Sequence, residues 1–388
     1  MLAVVLAATG LAGVNAVQPP RVIAVEWFPG ALVAGDGARV LLKFNQPLST
    51  VSAADVWADP ELPVAVAAEG SELTITLGDA LGYGQSLRLG ATVTSEATGL
   101  LGAIVTEVRA PDTRVATLVR HADGDRIVAT NLVGGGPPVD LVVQPRIQEY
   151  ALAPGRVFAI TADERGRVGL TTTVSGSSEA VSVIARSDAT LTQLRSDESS
   201  LQIGVVTSGL RLAGQLTDRS LLLFDSSRES GAPAVPTDSA GDPLRVVDWH
   251  FVPGTTAVVV RDVEGVLWRA DPALGQTAVP LGEAGEVGSL LAPEVLVEVS
   301  EGGDHLNWVG GPAAGSRYTP PGAASHVGEV CSSPNGRVIA AEVVSAEGTS
   351  DERDVRPGFT NTNTVFIDAR TAEPIRSMIG FAPNWCSN

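Results

Sequence analysis

Turn-like positions recur at a nearly fixed interval through the last two-thirds of the chain. They fall at Gly124 in HADGDR, Gly166 in ADERGRV, Gly209 in VTSGLRL, Gly254 in FVPGTTA, Glu294 in LAPEVLV and Gly336 in SSPNGRV, spaced by 42, 43, 45, 40 and 42 residues. A hydrophobic run follows each at once, and later runs close on Asp225, Asp271 and Asp368. The first two aspartates lie 16 and 17 residues past their glycines and Asp368 lies 32 past Gly336, so the last repeat carries an insertion, Ser345–Asn363. The runs are short, rich in Val, Leu, Ile and Thr, and bounded by Gly, Pro, Asp, Asn and Ser, as strands are. No stretch after residue 20 shows sustained helical periodicity. Repetition at this period without helices predicts an all-β chain with a β-propeller over residues 113–388. Six repeats are countable, and a seventh, hidden or borrowed, stays open.

A ring of small sheets must protect its strand edges by closing. The last residues, FAPNWCSN, resemble the start of another repeat: Asn384-Trp385-Cys386-Ser387 compares with Glu329-Val330-Cys331-Ser332. The chain is therefore expected to begin an inner strand beside the first blade. Cys331 and Cys386, the two cysteines of the chain, would then form a disulfide across the closure. Their spacing does not suit zinc, since there is no Cys-x-x-Cys and His326 has no second histidine near it.

Residues 18–112 read as a separate unit. Strands are expected at Val22–Val25, Arg39–Phe44, Val64–Ala67, Leu73–Leu77, Ser86–Val93 and Ile104–Val108, with turn signals at Gly35-Asp36-Gly37 and Glu69-Gly70-Ser71. Six short strands in one small unit predict an antiparallel β-sandwich. FPGALVAGDGARVLLKFNQPL followed by LTITLGDALGYGQSLRLGATV resembles the bacterial Ig-like domain of the S-layer SbsA type, with Phe44 to Leu48 matching its Phe-x-x-Pro-Leu strand end. Leu87 stands where that family commonly has an aromatic residue.

In the repeat region, CSSPNGRVIAAE and NTVFIDARTAEPI resemble the Ser-Pro-Asp-Gly and strand-Asp turns of TolB-like and WD-type propellers. The whole arrangement resembles a group of envelope proteins of high-GC Gram-positive bacteria: an apolar first segment, an Ig-like domain, a divergent propeller and a final Trp-Cys. That resemblance brings no catalytic residue that can be placed here.

Charge and composition narrow the function. With 26 Lys+Arg against 44 Asp+Glu the net charge is −18, which excludes a nucleic-acid partner of the usual basic kind. Lys43 is the single lysine, and no glycine-rich loop precedes it, so neither a Walker-type phosphate cradle nor lysine nucleophile chemistry is expected. Residues 1–17, MLAVVLAATGLAGVNAV, are uncharged and apolar and read as a signal peptide or membrane anchor. Export follows, either as a membrane-anchored protein of the extracellular face or as a secreted one, with this segment as the sole membrane contact. A disulfide suits that compartment.

No local motif carries chemistry. There is no HExxH, no Gly-x-Ser-x-Gly elbow and no calcium loop, and no metal or cofactor is expected. His121 and His250 precede their repeat glycines by three and four residues, which would place both on inner strands facing a central channel. The acidic clusters Asp123/Asp125, Asp163/Glu164 and Asp351/Glu352/Asp354 read as solvated turn residues. Trp249, Trp268 and Trp308 read as core. The exposed insertion, with Asp351, Arg353, Arg356 and Asn361, is the candidate binding loop. The expected function is an exported envelope binding or scaffold protein. The propeller would present loops to a protein, peptide or glycan, and the Ig-like unit would act as spacer. A propeller hydrolase or lyase with its site at the channel mouth is the alternative.

Overall fold

The computed structural model describes residues 18–387 except 36, 176, 178, 198–200, 228–230, 253–254, 284–295, 323, 352 and 354–356. The apolar segment 1–17, Gly254, Glu294 and Arg356 lie outside the described residues. The chain forms two compact units, one of residues up to Thr113 together with Leu132–Gly134, the other of Arg114–Asn131 and Gly135–Asn388.

The first unit holds β1 (Val22–Trp27), β2 (Arg39–Phe44), β3 (Val56–Asp59), β4 (Val64–Glu69), β5 (Glu72–Leu77), β6 (Ser86–Thr94) and β7 (Leu101–Arg109). They make two antiparallel sheets, ordered β1-β2-β5-β4 and β3-β6-β7. Alternate residues of β2 and β5 (Val40, Leu42, Leu73, Ile75) meet Leu87, Leu89 and Val93 of β6 in one core. The period-2 pattern of these strands is the cause, since it sends every second side chain to one face. Two elements escape the sequence reading. β3 is short and half-exposed, and Pro29–Ala34 forms a helix, α1, which starts on a proline and buries Leu32. On the outer face of the second sheet, Trp57 pairs with Gly90, and an added Cβ there would lie 2.0 Å from the indole.

The second unit is a succession of small antiparallel sheets. The first contains β8 (Arg114–Val119), β9 (Asp125–Asn131) and β10 (Val139–Gln144); the second β11 (Ile147–Ala153), β12 (Arg156–Ala162), β13 (Val168–Val174) and β14 (Ala180–Ser187). The third contains β15 (Thr190–Asp197), β16 (Gln202–Ser208) and β19 (Ser220–Asp225), with a hairpin of β17 (Arg211–Leu212) and β18 (Gln215–Leu216) set between the last two. The fourth is β20 (Val246–Phe251), β21 (Val258–Asp262), β22 (Val266–Asp271) and β23 (Gln276–Glu283). The fifth is β24 (Val297–Val299), β25 (Leu306–Trp308) and β26 (Arg317–Tyr318), and the sixth β27 (His326–Ser332), β28 (Val338–Val344), β29 (Thr362–Asp368) and β30 (Pro374–Ile379).

Neighbouring sheets bury their faces against each other. One core joins the first and second sheets, a second the second and third, a third the third and fourth, and a fourth the fifth and sixth. A strand covered on both faces needs no polar side, so β12 is buried along nearly its whole length. This is why the sequence shows apolar runs instead of alternation.

The chain returns to where the unit began. After β30, Phe381 bridges Leu118 of β8 with two backbone hydrogen bonds of 2.8 and 3.0 Å, standing where the first strand of that sheet would be. Pairing stops there. Residues Asn384–Ser387 turn into a 3-10 helix instead of the expected inner strand, and the Asn384 side-chain oxygen accepts the Ala116 N–H at 2.8 Å. Tyr150 of β11 donates its hydroxyl to the Ala382 carbonyl at 2.8 Å, and Trp385 packs edge-on against Phe366, 5.3 Å between ring centres. Cys331 of β27 and Cys386 form a disulfide, with Cα atoms 5.3 Å apart. Meanders in series with the last segment returning to the first sheet are the topology of a β-propeller.

The recurring glycines are turn residues, but not at one equivalent turn. Gly124, Gly166, Gly209 and Gly336 all have φ between 65° and 134°, the region that favours glycine. Gly166 and Gly209 follow the second strands of their sheets, whereas Gly336 joins the first and second strands of the sixth. The aspartates keep phase: Asp225, Asp271 and Asp368 each end a third strand, and the side chains of Asp225 and Asp368 accept backbone N–H groups of the next turn.

Candidate functional site

In an up-and-down sheet, the turn between second and third strands and the passage to the next sheet lie at the same end. At that end three consecutive sheets crowd together. The β8–β9 turn, the β10–β11 passage, the β12–β13 turn and the long connection between β28 and β29 enclose a pocket of about 500 Å³.

Two guanidiniums from distant parts of the chain fix its walls. Arg353, in the β28–β29 connection, meets Asp125 at the start of β9 through both terminal nitrogens, the longer contact being 3.0 Å. Asp125 is fully buried, accepts the Ile147 N–H at 2.7 Å, and is no solvated turn residue as its sequence neighbourhood suggested. Arg120 follows β8, pairs with Asp351, donates to the Ile147 carbonyl at 3.2 Å and lies over the Phe381 ring at 4.9 Å. Burial lowers the Arg120 pKa against the opposing pull of Asp351. Burial works against ionisation of Asp351, yet the Gly358 N–H and the Arg120 guanidinium override it and hold that carboxyl below its ordinary value. Planar, two-pronged pairing of this kind fixes orientation as well as charge.

Described residues of the β28–β29 connection pair with one another near its base. Ser350 bridges Phe359, and the Asp351 N–H donates to the Gly358 carbonyl at 2.9 Å. Asn361 lies at its base with φ 54°, its carbonyl accepting the Ser345 N–H, away from the pocket lining. His121 does line the pocket, but from the β8–β9 turn and not from an inner strand. Its carbonyl accepts the Gly124 N–H, and that turn geometry explains the difference. His250 is remote from it on β20, with its Nε2 3.6 Å from Asp248. The structure thus brings together His121, Asp351 and Arg353, and leaves His250 and Asn361 apart.

Four lining or supporting residues escape sequence reasoning: Arg120, Arg146, Gln148 and the buried role of Asp125. Arg120 and Asp125 take their partners from 231 and 228 residues away, so no local pattern marks their roles.

A second polar cluster lies among the first strands. Register breaks in β11, β15 and β20 immediately precede Glu149, Arg195 and Asp248, and Glu329 lies inside the break in β27. Arg195 pairs with Asp248 at 3.1 Å, rests over Trp249 at 5.6 Å and feels Glu149 and Glu329 through space. The Glu149 carboxylate accepts the Leu194 N–H at 2.7 Å. A hydrogen bond from His250, the Arg195 charge and the Trp249 N–H hold the Asp248 carboxyl far below its ordinary value, against burial. These contacts tie adjacent first strands to one another. Among the described residues no three His, Cys, Asp or Glu side chains are grouped as a metal site.

No family model matches this chain, and no curated protein matches it. Solved structures that align with this chain include TolB from Acinetobacter baumannii, 11% identical over 76% of each chain, TM-score 0.38. Another is an auxiliary nutrient binding protein from Bacteroides thetaiotaomicron VPI-5482, 10% identical over 94% of this chain and 86% of that one, TM-score 0.28. The WD40 domain of SCAP from fission yeast is 10% identical over 86% of this chain and 90% of that one, TM-score 0.24.

Proposed function

We propose that the protein is an exported cell-envelope binding protein, with residues 18–112 as an Ig-like spacer and residues 113–388 as a six-bladed propeller presenting its loops to a partner. The observation that carries this reading is the pocket of about 500 Å³ at the meeting of the sixth, first and second sheets. Its volume falls in the range of pockets for small ligands or the end of a larger one. Its walls are held by ion pairs across the ring closure, so the site is formed before anything binds. The disulfide between Cys331 and Cys386 supports an oxidising compartment.

The test is a thermal-shift screen of the full chain against short peptides and oligosaccharides, beside the variant Ala122→Trp. Ala122 is exposed and lines the pocket, so the indole would fill the mouth without disturbing the core. Binding to the native state raises the melting temperature. At least one compound class should stabilise the wild type and not A122W; equal gains in both proteins, or none, overturn the reading. The alternative, a hydrolase or lyase, draws support from Glu149, Asp248 and Glu329 among the first strands. It would require turnover that Glu329→Gln abolishes.

A further inference from the structure

We infer that the pocket takes the end of a peptide by its terminal carboxylate, with Arg146 as the residue that holds it; this rests on the binding reading above. The argument begins with charge. Of the described carboxylates on the walls, Asp123 pairs with Arg126 at 3.2 Å, Asp125 with Arg353, and Asp351 with Arg120. Each is already neutralised by a guanidinium.

Arg146 is different. Its carbonyl accepts the Ala162 N–H at 3.1 Å and Gln148 Nε2 at 3.2 Å, which fixes its backbone at φ 51° on the β10–β11 passage. Its guanidinium makes no hydrogen bond or ion pair with any described residue, and neither does the imidazole of His121 beside the same pocket. In a chain of net charge −18, an unmatched cation set among neutralised carboxylates marks a place for an anion. A guanidinium favours a planar carboxylate that accepts two parallel hydrogen bonds.

The remaining walls choose between sources of that carboxylate. Pro145, Ala162 and Val168 offer aliphatic surface, which suits a small apolar side chain next to the carboxylate. Apart from the His121 imidazole no aromatic ring lines the pocket among the described residues, so an acidic sugar would lack the flat indole or phenyl face on which to stack. An acidic sugar is accordingly an outcome of the test that would count against the inference.

The experiment titrates the full chain with N-acetylated tripeptides ending in alanine or valine, as free acids and as C-terminal amides, by calorimetry at low and moderate salt. The free acids should bind at least tenfold more tightly than the amides, and more weakly as salt rises. Arg146→Ala should bring the acids to the level of the amides, while Arg146→Lys, a charge without the fork, should keep part of the difference. Arg146 is exposed, so the melting temperature of R146A should match the wild type and separate loss of binding from loss of fold. Equal affinity for acid and amide, undiminished binding by R146A, or no tripeptide binding at all overturns the inference. If oligosaccharides stabilise the wild type and not A122W while tripeptides do nothing, the binding function stands and this inference alone fails. If no compound acts through the pocket, both fail.

Discussion

Asn384 and Ala116 meet through a side chain where a strand pair would use its backbone: the asparagine oxygen accepts the buried Ala116 N–H at 2.8 Å, 268 residues apart in sequence. Asn384→Leu should keep the packing volume but leave that N–H without a partner, at a cost of about 1–3 kcal/mol. Urea unfolding measures the loss, and amide exchange at Ala116 should accelerate more than exchange in the strands of the fourth sheet.

The Arg353–Asp125 pair joins the β28–β29 connection to the first sheet, and removing one partner leaves a buried charge. Arg353→Ala should destabilise the fold by about 3–5 kcal/mol. Arg353→Lys should recover only part, because an ammonium cannot match both carboxylate oxygens. Chemical denaturation of the three proteins checks the order.

The disulfide closes a separation of 55 residues. Chain entropy assigns such a link about 4 kcal/mol. The double variant C331A/C386A, or the wild type under reductant, should unfold at correspondingly lower urea. Limited proteolysis should then release the last residues first.

Acidification should weaken the fold through Asp248 and Asp351. Both carboxyls titrate lower in the folded chain than in the unfolded one, Asp248 chiefly through His250 and Asp351 through Gly358 and Arg120 against burial. A depressed folded pKa means the stabilisation is complete above about 4, the unfolded aspartate value, and is lost as pH falls through the folded values. Unfolding free energy measured between pH 6 and pH 3 should decline, with a shallower slope in Asp248→Asn.

Two glycines that face tryptophans should respond differently to the same change. A Cβ on Gly204 would lie 2.4 Å from the buried Trp249 ring and 2.9 Å from Leu223, with no room to yield. Gly204→Ala should cost about 1–3 kcal/mol or more. At Gly90 the obstructing Trp57 is partly exposed and can swing outward, so Gly90→Ala should shift tryptophan fluorescence to longer wavelength with a smaller loss of stability.

The all-β character was legible because strands buried on both faces leave apolar runs between turn residues, as in Arg156–Ala162. The repeat was legible in part. Gly166 and Gly336 look equivalent in spacing, yet the hairpin inserted before Ser220 and the short fifth sheet displace the phase, so the interval runs through two kinds of turn. The likeness of Asn384–Ser387 to Glu329–Ser332 located the cysteine pair, but could not show that a side-chain amide would replace the strand. Asp351, Arg353 and His121 were visible as candidates. Asp125 was not, because an aspartate in a Gly-containing turn looks solvated until a guanidinium from 228 residues onward covers it. Helix α1 has only 6 residues, fewer than two turns, and too little periodicity to register.

The cavity has a further property that comes from its construction. Its walls unite segments separated by more than half of the polypeptide, so a ribosome-bound chain that has not yet emitted residue 353 possesses no such hollow. A protease cut between Ser350 and Phe359 would erase it while sparing most of the sheets. Occupancy by a ligand would therefore report on whether synthesis and closure have both been completed.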